Sequence, residues 1–192
     1  MKHMTVSLIC ITLILLIAPM KEAASLYEDV IRMHILADSD LPKDQVVKLK
    51  VRDRILLESE TLLHNCETRE DAAAIIERNL DYLAGIARDV LEENGFSYKA
   101  VATLSKEYYE TRDYEGFSLP AGEYYSFRIC LGNAEGKNWW CVMFPRLCLK
   151  CAATPAKLTN EGLTNTQAKT VSTASGYTFR FKLLEWLGIQ KK

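Results

Sequence analysis

The chain predicts an α+β domain: a small, mainly antiparallel sheet packed against an antiparallel helix pair, with a short C-terminal helix. Three observations carry this. Val30 to Ala37 and three later runs between Phe96 and Phe144 are short and either alternate or stay continuously apolar, as strands do. Residues 43–94 carry apolar side chains at helical spacing in two stretches. The order strand, helix, helix, strand, strand, strand, linker, helix groups the helices together, which suits layers of sheet and helix. With 192 residues, 48% of them apolar, there is enough chain for one core.

Val30 to Ala37 reads as the first strand, with Ile31, Met33, Ile35 and Ala37 on one face and His34 on the other. Asp38-Ser39-Asp40-Leu41-Pro42 is a turn in which Ser39 or Asp40 can cap a helix that has Pro42 in its first turn. Asp38 and Asp40 lack the further acidic positions and the glycine of an EF-hand calcium loop. Lys43 to about Asn65 is a helix with Val47, Val51, Ile55 and Leu62 near one face. Its basic first half reads as a solvated face or as a docking face, and Arg52 and Asp53 are its candidate contacts. Thr68-Arg69-Glu70-Asp71 opens a second helix in the manner of a capping box, and Asn94-Gly95 closes it.

Phe96 to Tyr109 turns extended, and Thr111 to Gly122 is a polar loop with Gly122 in its exit turn. Tyr124 to Leu131 is a strand that sends Tyr125, Phe127, Ile129 and Leu131 one way and Ser126, Arg128 and Cys130 the other. A turn through Gly132 to Gly136 leads into Trp139 to Phe144, six apolar residues in a row, ended by Pro145. The paired tryptophans read either as core or as a partner-binding patch, since Trp is a typical interface anchor.

The termini are different in kind. Residues 1–24 have a short basic start, an uncharged run from Thr5 to Ala18 and small residues at the exit. That is the layout of a secretory signal peptide, with an uncleaved anchor as the variant. The expected domain covers residues 25–151, residues 152–176 read as a flexible linker, and residues 177–192 as an amphipathic helix and tail. A net charge of −1 implies no bulk attraction to nucleic acid. Membrane contact is expected only through the N-terminal segment, if it is retained.

No catalytic set, cofactor motif or metal site is expected. The chain has no Gly-x-Ser-x-Gly elbow and no His-Glu-x-x-His helix. Cys66, Cys130, Cys141, Cys148 and Cys151 remain once the leader is set aside, an odd number. They read as a structural disulfide or buried thiols, as a zinc set built from the last four, or as a redox C-x-x-C at Cys148 and Cys151. If a disulfide forms, Cys141 with Cys148 is the first choice, because a turn at Pro145 brings them together. A Cys141–His34 nucleophile pair, which an exported cell-wall hydrolase would need, has no flanking signature.

Four blocks carry a family resemblance. They are Ile31-Arg32-Met33-His34-Ile35-Leu36-Ala37-Asp38-Ser39-Asp40, Asp44-Gln45 through Leu49-Lys50-Val51-Arg52-Asp53, Leu119 to Tyr124 with Arg128-Ile129, and Gly136 to Cys148. With these the chain resembles the stage II sporulation protein R family over about residues 27 to 151. Asp38 and Arg146 depart from the family's Asn and Pro. The resemblance implies an exported signalling protein acting between the forespore and mother-cell membranes. Its partner would be the extracytoplasmic face of a membrane-bound protease that processes a sigma-factor precursor, and it would be the activator, not the enzyme. Under that reading Trp139 and Trp140 make the contact, supported by Asn138, Arg128 and Glu123.

Overall fold

The computed structural model describes residues 29–114, 117–145 and 168. The elements in chain order are β1 (Ile31–Leu36), α1 (Pro42–Leu62), α2 (Arg69–Arg78), α3 (Leu80–Glu93), β2 (Ala100–Tyr109), β3 (Arg112–Tyr114), β4 (Phe117–Leu119), β5 (Gly122–Leu131) and β6 (Asn138–Phe144). The main sheet has the order β2-β5-β1-β6. β1 runs parallel to β5 and antiparallel to β6, and β2 is antiparallel to β5 over ten paired residues. The architecture is therefore α+β with a mixed, mainly antiparallel sheet, as the sequence predicts.

The helices cover one face of the sheet. Ile31, Met33 and Ile35 of β1 meet Phe127, Ile129 and Leu131 of β5 and the apolar sides of α1 and α3, including Val51, Ile55, Leu83 and Val90. All of these side chains are buried. Burial of each is worth about 1.5–3 kcal/mol relative to exposure, so this layer is the main source of stability.

Three local features differ from the sequence reading. The second helix is two helices, broken at Asn79 (φ −113°, ψ 15°). The Asn79 side chain donates to the Ile75 carbonyl at 2.7 Å, the competition with the helix backbone that makes Asn a stop signal. The polar loop contains a small hairpin, β3 with β4, in which Arg112 pairs with Leu119 and Tyr114 with Phe117. At α1 neither Ser39 nor Asp40 is the cap. Leu41 holds that position with no side-chain cap, and Pro42 follows at the start of the helix. At α2, Thr68 accepts from Asp71 N at 3.1 Å, as expected for a capping threonine.

Ser39 and Asp40 are used in another way. The turn after β1 and the turn between β5 and β6 lock together. Asp38 Oδ1 accepts from Asn133 N at 2.7 Å, and Asp40 Oδ1 accepts from Lys137 N at 2.7 Å. Gly136 N donates to Ala37 O at 2.9 Å. The contact is so close that a Cβ on Gly136 would lie 2.3 Å from Ser39 O, and one on Gly132 (φ +58°) 2.0 Å from Asp38 Oδ1. Two buried polar residues of α1 hold the same end. Lys48 Nζ donates to Lys137 O at 2.8 Å, and Asp44 accepts from Ser39 and from the Tyr98 hydroxyl. These two hydrogen bonds hold the Asp44 carboxyl below its ordinary range, while burial lowers Lys48.

The close approach gives a prediction with two signs. Gly136→Ala must push backbone against backbone and is expected to destabilise by about 3 kcal/mol. Gly85→Ala lies inside α3, where the added Cβ would meet only Arg88 Nη2 at 3.6 Å. It is expected to be neutral or to stabilise by up to about 1 kcal/mol. Urea unfolding of the two variants beside wild type tests this, and equal midpoints for all three would refute the interlock.

Candidate functional site

The sheet's other face carries a polar network set in a ring of aromatics. Strand alternation puts Arg32 and His34 of β1 there, with Ser126 and Arg128 of β5, Glu107 and Tyr109 of β2, and Asn138 and Trp140 of β6. Arg32 is fully buried. Its guanidinium lies 4.0 Å from the Tyr109 ring centre and 4.9 Å from that of Tyr124, and donates to Tyr114 Oη at 3.0 Å. The apolar part of this layer is a second cluster of Val30, Tyr109, Leu119, Tyr124, Val142 and Ala168.

Glu107 is the hub of the network. Its carboxylate accepts from Ser126 Oγ at 2.9 Å, pairs with Arg128 Nη1 at 3.1 Å and lies 3.0 Å from His34 Nε2. Ser126 Oγ also shares a hydrogen bond of 2.6 Å with the Tyr109 hydroxyl. Burial pushes the Tyr109 hydroxyl up to about 12. His34 stacks on Trp140 with ring centres 4.6 Å apart and planes 8° from parallel. The Arg112 guanidinium lies 4.6 Å from the same indole. Burial lowers the His34 pKa, with Glu107 opposing that shift, so the ring is neutral near pH 7.

This arrangement is suited to binding more than to nucleophilic chemistry. Ser126 donates its hydroxyl proton to Glu107 and accepts from Tyr109, with no bond to His34, so no serine–histidine pair forms. Cys141 faces the helices opposite Met33 and is disulfide-bonded. His34 lies on the opposite face, which removes the Cys141–His34 pair and with it the hydrolase built on Cys141. The same geometry removes the four-cysteine zinc set, because Cys130 is a free thiol on the polar face. Burial raises the Cys130 thiol, which keeps it protonated. Among the described residues, no group of His, Cys, Asp and Glu side chains is placed to hold a metal ion. Cys148 and Cys151 lie outside the described residues, as do residues 1–28 and, apart from Ala168, the expected linker and C-terminal helix. Ala168 is helical and fully buried in the second cluster.

The seven candidate contact residues do not form one patch. Asn138, Trp140 and Arg128 come together on the polar face. Trp139 points to the helix side, partly buried against the main core, with Arg52 5.1 Å from its ring centre. Arg52 is paired with exposed Asp53 at 2.6 Å. Glu123 is exposed near the start of β5, opposite Tyr108. Of the turn residues, Asp38, Ser39, Asp40 and Gly136 build the interlock, Gly122 opens β5, and Pro145 follows β6 through a cis peptide bond. Arg32, Glu107, Ser126, Tyr109 and Arg112 went unselected in the sequence. The available signal was Arg32 and His34 at alternate positions of an otherwise apolar strand, which marks a second, polar-lined face.

The fold defines a small α+β domain, with a polar network ringed by aromatics on the sheet face away from the helices. Residues 27–154 match the family model for stage II sporulation protein R. The chain is similar to stage II sporulation protein R of Bacillus subtilis (strain 168), at 36% identity over 121 residues, covering 63% of this chain and 54% of that protein. The match thus spans about half the length of the curated relative. No solved structure matches. The chain belongs to the stage II sporulation protein R family, a family of sporulation proteins.

A neutral buried histidine has a consequence for stability. Its ordinary pKa is 6.5 and its folded value is lower, so below that pH the unfolded chain takes up the proton first. Stability is then lost as pH falls from the ordinary value toward the folded one. Between about pH 7.5 and pH 5 the wild-type urea midpoint should fall further than that of His34→Gln, which has no proton to take up. Equal falls in both proteins would show that His34 is not held neutral by burial.

Proposed function

We propose that this protein is an exported sporulation signal that activates a membrane-bound protease in the neighbouring compartment, which then cleaves a sigma-factor precursor. Residues 1–24 direct export, and the domain acts between the forespore and mother-cell membranes, on the extracytoplasmic face of the protease. The observation that supports an activator over an enzyme is Trp140. It is partly exposed and held rigidly by His34 and Arg112, in a network without a nucleophile–base pair. A large aromatic fixed before contact loses little freedom on binding, which is how interface anchors gain their strength. Activation further requires that this surface bind the protease's active state better than its inactive one.

The test is precursor processing in sporulating cells that lack this gene. Deletion should leave the sigma-factor precursor uncleaved, and the wild-type gene should restore cleavage. Trp140→Ala, secreted and folded, should lower processing by about tenfold or more, the effect expected of a central anchor. Trp139→Ala should act chiefly through stability, because Trp139 packs on the main core. Normal processing in the deletion strain would overturn the activator reading.

A further inference from the structure

The polar face concentrates buried polar atoms that lack well-aligned partners, and it carries more positive than negative charge. Among the described residues, eight buried side-chain nitrogen and oxygen atoms lack an aligned hydrogen-bond partner, and seven belong to this face: Arg32 Nε and Nη1, both His34 ring nitrogens, Thr103 Oγ1, Arg128 Nε and Asn138 Oδ1. Buried polar groups are normally paired, so such a concentration on one surface calls for an explanation. The charges are also unequal. Arg32, Arg112 and Arg128 all lie on this face, and among the described residues only Arg128 has an acidic partner there, Glu107. Among the described residues Arg32 has no acidic partner, only aromatic rings and a tyrosine hydroxyl. A fully buried guanidinium in that state raises the positive potential along β1, and His34 sits two residues on, about 7 Å away.

We infer that this face is a carboxylate-binding site and that the partner docks on it through an acidic peptide segment. A glutamate or aspartate side chain enters beside Arg128, the more exposed partner of Glu107, with side-chain exposures of 39% and 22%. It is flanked by Trp140 and meets the exposed part of the Arg128 guanidinium. Arg112 holds the outer rim, and Arg32 supplies charge from below. Arginine suits this role because its planar fork matches a carboxylate. The inference deepens the activator reading by giving the partner segment a chemistry, and it rests on that reading only in taking the partner to be a protein.

The experiment is a titration of the full-length chain with an N-acetylated peptide of about six glutamates, read by tryptophan fluorescence and by the indole N–H resonances. The glutamine peptide of equal length and inorganic phosphate are the other two arms. The glutamate peptide should bind saturably and shift the Trp140 resonance, and the glutamine peptide should not. Arg128→Gln should weaken binding by about tenfold. Glu107→Gln removes the competing carboxylate and should tighten it by about threefold. A variant that merely loosened the fold would not strengthen binding, so the opposite signs separate a site from a stability effect. Arg88→Gln, on an exposed side of the helix layer, should change nothing.

Absence of saturable binding overturns the inference. So does an equal loss in Arg128→Gln and Arg88→Gln, or phosphate displacing the peptide at equal concentration, which would mean a general anion site. The titration uses neither the protease nor sporulating cells, so its failure is distinct from failure of the activator reading.

Discussion

The contact of two turns at one end of the sheet is the constraint on which the rest of the molecule depends. β1 is an inner strand that the chain leaves early and that β5 and β6 enclose much later. Its position between them is fixed by backbone hydrogen bonds along both edges and, past its end, by Asp38, Asp40 and Ala37 O holding the β5–β6 turn. A one-residue slip of β1 would exchange its faces, sending Arg32 and His34 into the helix-side core and Ile31, Met33 and Ile35 into the polar layer. Glycine at positions 132 and 136 is therefore a matter of space. At 136 the backbones approach too closely for any side chain, at 132 a Cβ would run into the Asp38 side chain, and that closeness sets the register of the strand bearing the polar network.

Given that register, β1 serves two layers of different chemistry. Toward the helices it contributes aliphatic side chains to a dry core. Away from them it contributes a guanidinium and an imidazole, whose burial the second layer must compensate. Tyr109, Tyr124 and Tyr114 do so for Arg32 through ring faces and a hydroxyl, and Glu107 does so in part for His34. Aromatic rings attract a cation without becoming anionic, so Arg32 keeps its full charge. The polar layer consequently adds less to stability than an apolar one of equal size would, the usual cost of a surface that keeps its polar groups for use.

The sequence revealed the first layer well and the second poorly, for a physical reason. Helix-side positions repeat at spacings of 2 and 3.6, so Ile31, Met33, Ile35, Val51, Ile55, Leu83 and Val90 were legible as core from pattern alone. The Asn79 break was harder to see, because the apolar stripe continues across it while the interruption comes from one side-chain hydrogen bond. The network around Glu107 joins β1, β2 and β5, which are far apart in sequence. No spacing rule connects Glu107 with His34 or Arg128. Trp139 and Trp140 were expected together as contact residues, but adjacent strand residues face opposite ways, and Trp139 joins the core side while Trp140 joins the polar side.

This separation bears on how such a domain could act as a signal. A ligand shifts a partner's equilibrium only by the difference in its affinities for the two states, so a rigid, directional surface is more useful than a large greasy one. The polar face is rigid because Trp140 is stacked, His34 is buried and Arg128 is tied to Glu107. It is directional because its excess positive charge favours one kind of group over others. An apolar patch would bind either state of a partner that exposed similar area. A fixed array of guanidinium donors discriminates by whether a carboxylate is presented at the right place, a property that a conformational change in the partner can switch.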